Sequence, residues 1–152
     1  MVIVRDYSFP DDLYYTDEHI WVRQDRDTLT LGFDDLAARL IGNVLVVMLA
    51  DEGTELTPTM VFGTMESMKW VERLKSPVSG MITKVNRELE STPTLVNKEP
   101  YGRGWLVKVQ GTSNTDIELQ KLAGGTKLPE WAGKEVERRT EESKKSKARG
   151  TG

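Results

Sequence analysis

The sequence predicts a mainly β protein, a sandwich or barrel with short flanking helices. Its apolar runs are short and rich in β-branched residues. Gly, Pro, Asn and Asp punctuate them at close intervals, which favours antiparallel pairing over a parallel α/β sheet. No repeat of fixed, solenoid-like period is present.

Residues 1–13 read as an N-terminal extension. His19–Val22 and Thr28–Gly32 form two strands around the polar turn Gln24-Asp25-Arg26-Asp27. The second alternates, Leu29 and Leu31 on one face, Thr28 and Thr30 on the other. A short helix follows, begun by Asp34 or Asp35, with Leu36, Ala37, Leu40 and Ile41 as its apolar stripe and Gly42 at its end. Val44–Leu49 is β-branched and apolar throughout, the pattern of a buried strand. Pro58, Gly63, Ser76-Pro77 and Gly80 then separate Met60–Phe62, Val71–Leu74 and Met81–Val85, and Trp105–Val109 closes the series. Asp116–Leu122 suits one more short helix, ended by Gly124-Gly125. The resulting domain spans 14–125. Residues 126–152 are so charged that they read as a flexible tail, unable to bury enough surface to offset the entropy of ordering, with a solvated helix through Arg138–Lys145 as the alternative.

Composition removes several functional classes. With no cysteine, disulfides, thiolate metal sites and a cysteine nucleophile are excluded, and the single histidine, His19, argues against a histidine-rich zinc site. Redox or acyl-transfer chemistry would have to come from a group added to the chain. From Lys127 onward eight Lys/Arg stand against five Asp/Glu, or +3, which leaves 13 against 19, or −6, on the rest. An acidic body repels phosphate, so no nucleic-acid partner is expected. No apolar run nears the roughly 18 residues that span a bilayer, and no export signal opens the chain, so no membrane partner and a cytoplasmic location are expected.

The stretch that carries chemistry is Phe62–Gly80, FGTMESMKWVERLKSPVSG. Lys69 lies between two strand-like runs, with Gly63 before it and Gly80 after. If those runs pair, Lys69 sits at the tip of a hairpin, where a modifying enzyme can reach its amine. The two glycines would relieve crowding where strands pack or turn.

Gly63-x-x-Glu66-Ser67-Met68-Lys69, followed by Ser76-Pro77-Val78-Ser79-Gly80, resembles the lipoylation region of the glycine cleavage H protein family. The resemblance extends downstream through Val85-Asn86, Leu95-Val96-Asn97 and Pro100-Tyr101-Gly102-x-Gly104-Trp105-Leu106. Upstream it takes in Tyr15-Thr16, His19-x-Trp21-Val22, Gly32 and Ile41-Gly42-Asn43-Val44. It implies a hybrid β-sandwich of the lipoyl/biotinyl type and a non-catalytic carrier. It further implies lipoate joined to Lys69 as an amide by a lipoate ligase or lipoyl transferase, on the hairpin of Gly63, Glu66, Ser67, Met68, Trp70 and Gly80. Biotin carriers share the hairpin, but usually carry methionine on both sides of the lysine, where this chain has Met68 and Trp70. An enzyme would recruit Glu66, Glu72 or Asp51-Glu52 as paired carboxylates and His19 as base. A lone histidine beside Trp21 is more simply a structural residue.

The family's arm, loaded with an aminomethyl group, rests in a polar cleft. The resemblance places Glu18, His19, Ile20, Leu40 and Arg73 there. Ile20 stands where the family has glutamate, Leu40 where many members have histidine, Arg73 where an acidic or polar residue is usual, and Trp70 where alanine is usual. A buried ammonium needs an acceptor, so these departures favour another cargo. They resemble the H-like lipoate-binding proteins that accompany a heterodisulfide-reductase-like complex in sulfur oxidation. Glycine cleavage with its P, T and L proteins is the alternative.

Overall fold

The computed structural model describes the backbone of residues 1–150 and the side chains of residues 1–145. The strands are β1 (Val2–Val4), β2 (Tyr7–Phe9), β3 (Tyr14–Tyr15), β4 (Ile20–Asp25), β5 (Thr28–Phe33), β6 (Val44–Leu49), β7 (Glu55–Leu56), β8 (Val61–Ser67), β9 (Val71–Lys75), β10 (Gly80–Val85) and β11 (Val107–Gln110). The helices are α1 (Asp35–Ile41), α2 (Glu88–Ser91), α3 (Leu95–Lys98), α4 (Thr115–Gln120) and α5 (Leu128–Gly150). All strand pairing is antiparallel. One sheet has the order β3-β4-β5-β11-β10-β7, the second β6-β8-β9, and β1 pairs only with β2. The predicted sandwich is therefore present, as two sheets enclosing a core of Val22, Leu31, Phe62, Met65, Leu74, Ile82 and Val107.

Alternation along β4 divides its side chains between two cores. Ile20 and Val22 join the inter-sheet cluster, whereas Trp21 turns to the other face. Trp21 lies directly across from Gly32, where a Cβ would come within 2.2 Å of the indole ring. Only glycine leaves room for that ring. Its Nε1 donates to the Pro100 carbonyl at 3.0 Å, and Arg23 donates to the Tyr101 carbonyl, which ties the two distant aromatic sequence blocks together.

Asp34 caps α1 by accepting from the Ala37 amide, and Gly42 ends the helix with φ 83°. The carbonyls left at that end are taken up by Asn97. Its amide nitrogen donates to Ala38 and Gly42, while its side-chain oxygen accepts from the Val44 amide.

Two expectations fail. Val44–Leu49 is a strand, but only Val44 and Val47 are buried. It is an edge of the three-stranded sheet, and Leu45, Val46 and Met48 face outward. The chain from 126 on is not a flexible tail over its described length, since α5 runs Leu128–Gly150. Leu128, Ala132 and Val136, four residues apart, are buried with Phe9, Leu13, Tyr15, Trp21 and Leu36 in a second cluster. Those few apolar residues at helical spacing outweigh the charged surroundings. They also bind the N-terminal segment to the body, so 1–13 is part of the same packed unit. No described helix is long and apolar enough to cross a membrane.

Candidate functional site

β8 and β9 form the hairpin that the sequence predicts. Its register pairs Met65 with Glu72 and Glu66 with Val71. The next pair, Ser67 and Trp70, closes the turn: the Ser67 amide donates to the Trp70 carbonyl at 2.9 Å. The Ser67 hydroxyl oxygen accepts from the amides of Trp70 at 3.2 Å and Lys69 at 3.4 Å. A two-residue loop, Met68-Lys69, remains at the tip. Ser67 thus fixes the backbone of an exposed lysine that makes no ion pair among the described residues. Met68 is 86% exposed beside it, and Glu66 faces outward from the sheet.

Both flanking glycines have steric reasons. A Cβ on Gly63 would meet the Met48 carbonyl oxygen at 2.5 Å, so its absence lets β8 lie close against β6. Gly80 has φ 151°, and a Cβ there would meet the Gln110 carbonyl oxygen at 2.1 Å. The Ser76 hydroxyl bonds both the amide and the carbonyl of Val78, shaping the Ser-Pro turn that follows β9.

Beneath the tip is a cleft of about 250 Å³, lined by Leu40, Ile41, Trp70, Glu72, Arg139, Glu142 and Ser143. Of the cleft residues expected from the sequence, only Leu40 lines it. Ile20 is buried in the inter-sheet core. Arg73 shares the exposed face of β9 with Val71 and Lys75, while Glu72 and Leu74 point the opposite way. Glu18 pairs with Lys75 at 3.7 Å along a neighbouring groove. His19 is buried behind the cleft. Ile20 and Arg73 therefore do not line this pocket.

The strand parity that overturns Arg73 also locates Glu72, two residues before buried Leu74. Arg139 and Ser143 continue the face of α5 that buries Ala132 and Val136, a face that shows itself only once Phe9 and Leu13 pack against it.

His19 is held on two sides by carboxylates. Its Nδ1 donates to Asp34 at 2.7 Å and its Nε2 to Glu135 at 3.0 Å. Carboxylates only accept, so both ring nitrogens carry protons and the ring is cationic. Burial alone would lower its pKa, but the Asp34 charge and the bonds to Asp34 and Glu135 raise it to about 9. Glu135 in turn would be raised by burial, yet His19 and Arg138 bring it down to about 2. Arg138 bonds Glu135 at 2.7 Å and Glu142 at 3.0 Å, which extends the ion chain to the cleft wall. Within the cleft, burial pushes the Glu72 carboxyl above the usual carboxylate range, partly offset by Arg139 and His19. Among the described residues no group of three or more His, Asp or Glu is arranged to hold a metal.

A sandwich that displays a lysine on a fixed two-residue loop has the design of a carrier domain. The family described as Glycine cleavage H-protein matches residues 13–134, and the chain belongs to it. A glycine cleavage system H protein of Salinibacter ruber is 46% identical over 109 residues, covering 72% of this chain and 88% of that protein. A probable glycine cleavage system H protein 3 of Sulfurisphaera tokodaii is 38% identical over 120 residues, 78% of this chain and 85% of that protein. The crystal structure of a glycine cleavage system H protein from Mycobacterium marinum superposes with a TM-score of 0.66 at 31% identity, over 68% of this chain and 87% of that one. The chain is accordingly a non-catalytic lipoyl carrier of the H-protein type, with lipoate held covalently on a lysine.

Proposed function

We propose that Lys69 is the lipoyl-bearing lysine and that the arm serves glycine cleavage, passing a one-carbon amine among partners of the P, T and L types. The observation that carries this reading is the Ser67-braced tip. It presents one extended amine to a lipoate ligase or transferase while both neighbouring strands stay locked in register. The residues fit the group: Lys69 is exposed, and no carboxylate among the described residues occupies its amine. When bound, the dithiolane supplies the sulfur that takes up and releases the one-carbon unit, and the protein supplies placement. Amide formation at Nζ also removes the lysine's charge. Trp70 spans the step from tip to cleft, because it follows Lys69 in the chain and lines the cleft below. The names of the relatives favour glycine cleavage over sulfur oxidation, and neither Ile20 nor Arg73 lines the pocket below the tip.

Co-expression with a lipoate ligase and intact-mass measurement tests the attachment. One lipoyl addition is expected, lost in Lys69→Arg, and persistence of the addition in that variant overturns the assignment. Supplying P, T and L proteins and following glycine-dependent bicarbonate exchange tests the pathway. Lipoylated protein that supports no exchange overturns that part alone.

A further inference from the structure

We propose that the outer face of the six-stranded sheet is a docking surface for an acidic, extended segment of a partner protein, held by Arg23, Lys108 and Lys84 beside Trp105. This surface is separate from the lysine hairpin. The two sheets enclose the core, so their outer faces look in opposite directions, and Lys69 sits at the tip of the other sheet.

Strand register builds the surface. Arg23 pairs with Thr30, Thr30 with Lys108, and Lys108 with Lys84, so a single row crosses β4, β5, β11 and β10. Their neighbours along the strands, Val22, Leu31, Val107, Val109 and Val85, are buried in the core, which turns the row outward. Three gaps between strands, each about 4.8 Å, put Arg23 and Lys84 about 14 Å apart. An extended segment of about five residues covers that length, with alternate side chains facing the sheet.

The row is cationic on an acidic body. Residues 1–126 carry 19 Asp/Glu against 13 Lys/Arg, yet Arg23, Lys84 and Lys108 make no ion pair among the described residues. Glu52, which accepts from the Val85 amide next to Lys84, is held by Arg87, and Glu88 is held by Arg103. Asp25, at the β4 end of the next row on the same face, is the one carboxylate there, so the face stays net positive. Lys84 and Lys108 stand directly opposite each other, an arrangement of like charges that costs stability. Both ammoniums lie over the partly buried Trp105 ring, 5.7 and 5.4 Å from its centroid, and the Arg23 guanidinium lies over Trp21 at 4.9 Å. A ring steadies a cation without neutralising it. A carboxylate entering between the two lysines meets held, uncompensated charge and relieves their repulsion. A nucleic acid would run past so short a row into the acidic remainder of the body, where its phosphates are repelled; a short acidic segment does not.

The probe is fluorescein-labelled hexaglutamate, added to the full-length protein at low ionic strength. Anisotropy gives the affinity, and backbone and indole NMR resonances of the unaltered protein locate the contact. Resonances of Arg23, Thr30, Lys84, Lys108 and Trp105 are expected to move while those of Met68 and Lys69 stay in place. No movement, or movement at Met68 and Lys69 instead, overturns the proposal. The double variant Lys84→Gln, Lys108→Gln is expected to weaken binding about tenfold, the scale of two exposed ion pairs, and undiminished affinity overturns the proposal. Lys84→Glu is expected to abolish binding while raising the urea midpoint, because it turns the like-charge pair with Lys108 into an opposite one. The lost binding then cannot come from unfolding; a lowered midpoint removes the like-charge argument and overturns the proposal. Duplex DNA and phosphatidylserine vesicles are compared at the same ionic strength, and tighter binding of either than of hexaglutamate overturns the assignment to a protein partner.

Discussion

The cationic state of His19 has a consequence for stability that can be worked from the geometry. In the unfolded chain the imidazole titrates near 6.5; in the folded protein it titrates near 9, held by Asp34 and Glu135. A raised folded pKa means that the native state binds the proton more tightly. The contribution is complete below pH 6.5, is lost as the pH climbs through 9, and does not change beyond that. The shift of about 2.5 units corresponds to about 3 kcal/mol at 1.36 kcal/mol per unit. In a domain of this length that is about 6–12 °C of melting temperature. The assay is urea unfolding of the unaltered protein and of His19→Gln from pH 6 to pH 10, because the difference between them cancels the titrating groups that His19 does not influence. The stability advantage of the unaltered protein should shrink by about 3 kcal/mol across that window. An advantage independent of pH, or an imidazole proton resonance titrating near 6.5, would refute the assignment of a buried cation.

Asn97→Ala removes three hydrogen bonds that join α1, α3 and β6, and is expected to lower unfolding free energy by about 2–3 kcal/mol. Urea titration measures this, while lipoylation of the surviving folded fraction should be unaffected. Gly32→Ala drives a methyl group into the fully buried Trp21 ring, and a loss of about 1–3 kcal/mol with a red-shifted tryptophan emission is expected.

Local rules made much of the fold legible. The β4–β5 pair, α1 with its aspartate cap and terminal glycine, and the β8–β9 hairpin all follow from alternation, capping and turn chemistry over a few neighbouring residues. What escaped depended on contacts across the molecule. Val44–Leu49 reads as buried because its composition is apolar, and only the folded structure shows it as an edge strand with Leu45, Val46 and Met48 exposed. The helix after 128 has a charged composition, and its burial depends on Phe9 and Leu13, more than a hundred residues earlier. At the candidate site, the hairpin tip that carries Lys69 and its flanking glycines was legible because these residues lie close together in sequence. The cleft was not, since similarity to other proteins directed attention to positions 20 and 73, while strand parity and α5 put Glu72 and Arg139 there.

The cluster that joins Phe9 and Leu13 to Ala132 and Val136 also sets an order of events during synthesis. The first hairpin leaves the ribosome early, but its cover is made nearly last. Until Val136 emerges, Phe9 and the outer face of Trp21 stay open to water and to other chains. The lysine hairpin, whose strands are close in sequence, can form well before that. The hairpin that displays Lys69 thus depends on none of the contacts that close the floor of the molecule last.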